Sequence, residues 1–157
     1  MTTSPDRRFL LAHPAHFLAL GLGAGLSPKA PGTVGILVAF PLFWLLLASP
    51  LYWAWVALFL VLGVWACGVA GRALGVHDHG GIVWDEVAAF LLVLPFAPAS
   101  WFGYVLAFAL FRLFDIWKPF PIAWCDARLP GGFGVMFDDV LAAGYALLCL
   151  LGVKSWV

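Results

Sequence analysis

Five carboxylates, the adjacent pairs Asp85-Glu86 and Asp138-Asp139 together with Asp115, stand in a chain that is otherwise close to hydrocarbon. Hard cations such as magnesium take carboxylate oxygens and keep several waters, so five acids converging from helix ends would suit one or two such ions. Arg112, Asp115 and Lys118 recur at i, i+3 and i+6 and share a helical face until Pro119 ends it. Arginine offers a planar fork to a phosphate and lysine a point charge. Residues 112–139 hold seven of the sixteen charged residues. A lipid-facing carboxylate costs roughly 2.5–3.5 kcal/mol on insertion scales, so acids beside apolar spans are read as functional. The chemistry these residues support is metal-assisted handling of a phosphate.

Each feature has a plainer reading. Acidic pairs at helix starts can simply cap the helix and complement its dipole. Arg112, Asp115 and Lys118 can form a local ion-pair ladder, or snorkel to head-group level. Gly131, Gly132 and Gly134 can open backbone amides to an anion, or form an ordinary turn. Lys29 and Thr33 can add a charge and a hydroxyl to the same anion, or meet lipid head groups and cap a helix. His77-Asp78-His79 looks like a metal or acid-base cluster, but i, i+2 histidines without a third nitrogen ligand are poor zinc geometry. His77 and His79 are read as loop-supporting, and His13 and His16 as head-group contacts.

The elements that must position these groups belong to a membrane protein. Of 157 residues 64% are hydrophobic and 10% charged, with mean hydropathy +1.03, whereas about a quarter of residues are charged in soluble domains. The formal charge is zero, and no aromatic-basic interleaving argues for nucleic acid. Cys67, Cys125 and Cys149 lack paired spacing, so neither disulfide nor zinc site is expected. Arg7 and Arg8 precede an apolar run that resembles a signal peptide, but His13, Pro14 and His16 interrupt it. The N-terminus is expected to be retained.

The expected fold is all-α, a single unit over 1–157. It is a small polytopic bundle with short or re-entrant helices and polar loops on one side, frayed over 1–8. Phe9–Leu26 reads as an interfacial helix, Ser27–Gly35 as a loop, Gly35–Leu47 and Leu51–Gly71 as helices, with Tyr52, Trp53 and Trp55 as an aromatic belt. A second polar loop, Arg72–Glu86, precedes Val87–Leu94, the turn Pro95–Pro98 and Trp101–Phe111. This stretch is one kinked span or a hairpin. The hairpin places all cations but Lys154, and every acid, on one side, which the positive-inside rule prefers. Val140–Val153 closes the chain as a short helix.

Absences narrow the chemistry. Six positions after Cys125, where a cysteine phosphatase needs arginine, stands Gly131. There is no Asp-x-Asp pair, no Gly-x-Ser-x-Gly elbow, and no Asp-Gly-x-x-Ala-Arg signature of head-group transferases. Metal-assisted hydrolysis remains.

The segments SPKAPGTVG (27–35), HDHGGIVWDE (77–86), FRLFDIWKPFPI (111–122), the following Asp126 and GGFGVMFDDV (131–140) resemble the phosphatidylglycerophosphatase A family of bacterial inner-membrane lipid phosphatases. The match runs in order from about Gly21 to Gly144. The resemblance implies magnesium-dependent hydrolysis of phosphatidylglycerophosphate to phosphatidylglycerol and phosphate, in a multi-pass protein whose site faces the cytoplasm. The matching polar positions are Thr33, Asp85, Glu86, Arg112, Asp115, Lys118, Asp126, Asp138 and Asp139. The family pattern assigns no individual ligands; from their own chemistry Asp85, Glu86, Asp115, Asp138 and Asp139 are expected to hold metal. Arg112 and Lys118, with Lys29, Thr33, Gly131 and Gly132, are expected to meet phosphate, and Asp126 to act as base. The rivals are another metal-dependent phospholipid enzyme and an ion-coupled transporter.

Overall fold

The computed structural model describes residues 4–154, helical with short connections and without a strand among them. Pro14 and the early glycines break the first apolar run into α1 (Arg7–Ala12), α2 (Pro14–Ala19) and a 3-10 segment, Gly21–Leu26. Of residues 1–8, expected to fray, 1–3 lie outside the described residues. Asp6 already caps α1, its carboxylate accepting from the Phe9 N–H at 2.8 Å. The two histidines expected at head groups serve the fold instead. His13 caps α2 through Nδ1, which accepts from the Ala15 N–H at 3.0 Å, and His16 is buried, stacked on Phe9 with ring centroids 4.0 Å apart.

The helix α3 (Pro31–Leu47) starts four residues earlier than expected. Proline at the first helical position loses nothing, because its N–H would be unpaired there anyway. Gly32 and Thr33 therefore lie in a first helical turn, with Ala30 and not Thr33 at the N-cap. After a short turn α4 (Tyr52–Leu74) runs for 23 residues and stops at Gly75, whose φ of 70° forms a left-handed C-terminal cap. Trp53 and Trp55 are exposed as a belt requires, but Tyr52 is buried and donates to the Leu91 carbonyl at 2.6 Å.

The helix α5 (Trp84–Val93) is ten residues long and buried almost throughout. It packs against α3 and α4 and against the last helix, α8 (Gly131–Lys154). A 3-10 turn at Leu94–Phe96 leads to α6 (Trp101–Trp117), which Ser100 caps through the Gly103 N–H at 3.0 Å. Glu86, near the start of α5, and Arg112, near the end of α6, lie 3.2 Å apart at their charged atoms. One continuous helix would separate residues so spaced by about 39 Å. The chain therefore turns back at the prolines as a hairpin.

Beyond α6 a turn leads to a helix the sequence did not announce, α7 (Ile122–Arg128). The glycines at 131–134, read as loop or turn, are instead the opening of α8, which has 24 residues rather than the short segment from Val140. Gly132 is needed there because a Cβ would overlap the Val64 carbonyl oxygen of α4, and small residues let membrane helices approach this closely. Both α4 and α8 are long and apolar enough to cross a membrane.

Candidate active site

The shortness of α5 makes the site. Its first turn carries Asp85 and Glu86, and it packs beside α8 at Asp138 and Asp139, two turns inside that helix. Eight residues separate Gly131 from Asp139, so the second pair is sunk about 12 Å below the start of α8. Asp138 and Asp139 consequently cannot cap α8, and the plainer reading of that pair fails. For Asp85 and Glu86, in a first turn, a favourable dipole contribution remains. Asp85, Asp138 and Asp139 are each less than a tenth exposed.

Two cations tie the acids together. Arg112 Nη1 contacts Asp115 Oδ2 and lies 3.2 Å from Glu86 Oε1. Lys118 caps α6 in a left-handed conformation, φ 46°, which releases its side chain from the helix. Its Nζ donates to Asp138 Oδ2 at 2.6 Å and lies 3.0 Å from Asp126 Oδ2 on α7. Burial pulls the Lys118 ammonium down, but the hydrogen bonds and charges of Asp138 and Asp126 outweigh it and hold it above the ordinary lysine range. The ladder of the plainer reading extends across the fold: Arg112 and Lys118 bridge four carboxylates on four different elements.

The acids interact across the cluster, Asp139 with Asp85, Asp115, Asp138 and Glu86, and Glu86 with Asp115 and Asp78. Asp78, in the histidine loop, interacts electrostatically with Lys118, Asp126 and Asp115, and also with Asp85 and Asp138. Although the residue reaches the surface, its carboxyl is pushed up, first by crowding from the protein and then by Asp126 and Asp115. Lys118 and His77 oppose the shift. The only sequence signal for it was an acid inside a Gly-flanked loop.

With Asp78, Asp85, Glu86, Asp115, Asp126, Asp138 and Asp139 facing Arg112 and Lys118, acids outnumber cations by five. Asp85 Oδ1, Glu86 Oε2 and Asp139 Oδ2 are buried without a hydrogen-bond partner, and a buried polar atom left unsatisfied is costly to a fold. Among the described residues no three His, Cys, Asp or Glu side chains stand ready to hold one ion together. Asp115 and Asp138 are engaged by Arg112 and Lys118. The three orphaned oxygens, all hard donors, nevertheless fit a hard cation.

The remaining expected residues divide. Thr33 lies half-buried beside Gly32, whose backbone abuts the Glu86 carboxylate. Lys29 is exposed before α3, and no ion pair of its ammonium occurs among the described residues. Gly131, φ 68°, is exposed and lines a cavity of about 260 Å³ with Arg72 and His77. Gly132 is accounted for by its packing against α4. His79 supports its loop, Nδ1 accepting from the Gly81 N–H at 3.0 Å.

The phosphatidylglycerophosphatase A family profile matches residues 17–154. A Haemophilus influenzae protein named phosphatidylglycerophosphatase A is 44% identical over 158 residues, covering 98% of this chain and 97% of its own. An Escherichia coli protein of the same name is 44% identical over 139 residues, covering 86% and 80%. A Bacteroides thetaiotaomicron protein provisionally named phosphatidylinositol-3-phosphatase is 40% identical over 151 residues, covering 89% and 92%. No solved structure matches significantly. On this similarity, and on the acid cluster that segments 77–86, 111–122 and 131–140 build with Asp126, the chain belongs to the phosphatidylglycerophosphatase A family.

Proposed function

We propose that the protein hydrolyses the terminal phosphomonoester of phosphatidylglycerophosphate, giving phosphatidylglycerol and inorganic phosphate, with magnesium as its metal. The observation that carries this is the set of orphaned buried oxygens on Asp85, Glu86 and Asp139 beside Arg112 and Lys118. Cation-seeking and anion-seeking groups meet in one recess of a family member.

Asp85, Glu86 and Asp139 would hold the ion, with Asp115 and Asp138 available once released by their present partners. When bound, magnesium polarises phosphoryl oxygens and makes a coordinated water more acidic. Arg112 and Lys118 exchange carboxylates for the substrate phosphate and offset charge spreading over its oxygens, where positioning and electrostatics dominate. Asp126, half-exposed at the edge of the recess, accepts the proton of the attacking water. The water oxygen bonds to phosphorus, the P–O bond to the glycerol breaks, and the leaving glycerol oxygen takes the proton that Asp126 accepted from the water.

The site lies on the cytoplasmic side of the bacterial inner membrane, in a multi-pass bundle. The hairpin supports this, since Arg7, Arg8, Lys29, Arg72, Arg112, Lys118 and Arg128 all belong to the end of the bundle holding the site, and Lys154 ends α8 at the other. A lipid substrate then presents its phosphate to the recess while its acyl chains stay in the bilayer.

The purified protein in detergent micelles should release phosphate from phosphatidylglycerophosphate with magnesium and not in excess chelator. Phosphate release unaffected by chelator would remove the metal, and no release at all would favour another phospholipid chemistry. The relative named for phosphatidylinositol 3-phosphate makes that lipid the informative competitor. Faster release from it would reassign the head group while keeping the site.

A further inference from the structure

We infer that the cleft between α3 and α6 is an acyl-chain subsite, gripping one chain of the lipid whose phosphate occupies the recess. The inference rests on the proposed lipid hydrolysis and adds a second point of recognition to it. The cleft encloses about 440 Å³ and is lined by Leu37, Phe40, Trp44, Trp101, Val105 and Phe108, with Tyr104. Its floor is Phe90 of α5, fully buried, which meets Phe40 at 5.6 Å and Phe108 at 6.5 Å between ring centroids.

Continuity with the site identifies the occupant. The two walls run antiparallel, and each reaches the recess at one end. Gly32 of α3 abuts Glu86, and Arg112 of α6 pairs with it. Leu37 lies five residues below Gly32, Phe108 four before Arg112 and Phe90 four after Glu86, so the cleft opens about 6–8 Å beneath the acids. From there it follows seven residues of each wall, about 10 Å, away from the polar end. A group leading from the phosphate into this cleft must be apolar and slender. Tyr104 approaches Phe40 to 6.0 Å and Trp44 to 6.3 Å across the cleft, which leaves no seat for a helix about 10 Å across. A hydrocarbon chain meets both demands.

Leu37 and Val105 are exposed on the walls, 54% and 43%, and neither belongs to the catalytic machinery. Leu37→Trp and Val105→Trp fill the cleft. Each should raise KM for dioleoyl phosphatidylglycerophosphate about tenfold or more, as lost methylene burial requires. The dihexanoyl analogue, too short to run the cleft, should change less than about twofold. Val61→Trp, on the α4–α8 face, should change neither. Equal losses on both substrates, or no loss on either, overturns the subsite.

A photoactivatable phosphatidylglycerol with a mid-chain diazirine, in phosphatidylcholine vesicles holding the wild-type protein, gives a readout independent of turnover. Label concentrated in 37–44 and 101–108 is expected. Label spread equally over Val61 and Leu148 means ordinary lipid contact and overturns the inference. Wild-type protein inert on both lipids, yet labelled in the cleft, would sink the hydrolase reading while leaving the chain site standing.

Discussion

Gly32 leaves no room for a methyl group against Glu86: a Cβ on its backbone would overlap both oxygens of the carboxylate. Since alanine is favoured over glycine in a helix by about 0.8–1.0 kcal/mol, Gly32→Ala separates local stability from site geometry. Helix α3 should not suffer, while Glu86 is displaced from Arg112 and from any ion it holds. The expected result is a loss of kcat/KM of about tenfold or more, near 1.4 kcal/mol, at unchanged expression and insertion. Normal turnover in this variant would show that the Glu86 position is not critical.

The excess of acids makes a prediction with opposite signs in stability and function. Asp139→Asn and Asp85→Asn each remove one buried unpaired charge, so in chelator the variants should melt higher than wild type. Magnesium should raise the melting temperature of wild type by mass action, and this increment should shrink or vanish in both variants together with turnover. A variant that keeps the magnesium increment does not contain a ligand at that position.

Lys118 supports Asp138 on α8 and Asp126 on α7 at once. Lys118→Met strands a carboxylate that is only 5% exposed, a change of the kind that costs about 3–5 kcal/mol. Adding Asp138→Leu should recover much of the stability without recovering turnover, a coupling that a double-mutant cycle in chemical unfolding measures. Simple additivity would mean that the bridge is not a structural link.

Packing and phosphate binding make different demands on Gly132. Because its Cβ would overlap the Val64 carbonyl oxygen, Gly132→Ala should lower thermal stability and activity together, by about 1–3 kcal/mol for an overpacked contact. A raised KM at unchanged melting temperature would instead mark Gly132 as a phosphate contact.

The hairpin predicts sidedness. Cysteines placed at Gly80 and Ala127, with the native thiols replaced, should label from the same face of oriented vesicles, and one at Ala48 from the other. Labelling of 80 and 127 from opposite faces would separate the acids and dissolve the site.

Much of this protein is legible in its sequence. Two acidic pairs and an Arg-x-x-Asp-x-x-Lys repeat carry information wherever charge is scarce, because an ionised group in an apolar chain must be compensated or used. That argument needs no distances, and neither do helix class, membrane association or the family, whose motifs are contiguous runs. Composition and local spacing determined these by themselves. Asp78, the depth of Asp138 and Asp139, and Gly132 as a packing residue were decided only by the tertiary structure, which also bears out the hairpin that the positive-inside rule favours. Each depends on which residues distant along the chain come within a few ångströms, and the ten-residue α5, sheathed by α3, α4 and α8, sets those distances. Helical periodicity records which face a residue occupies, but not which other helix that face will meet or at what depth.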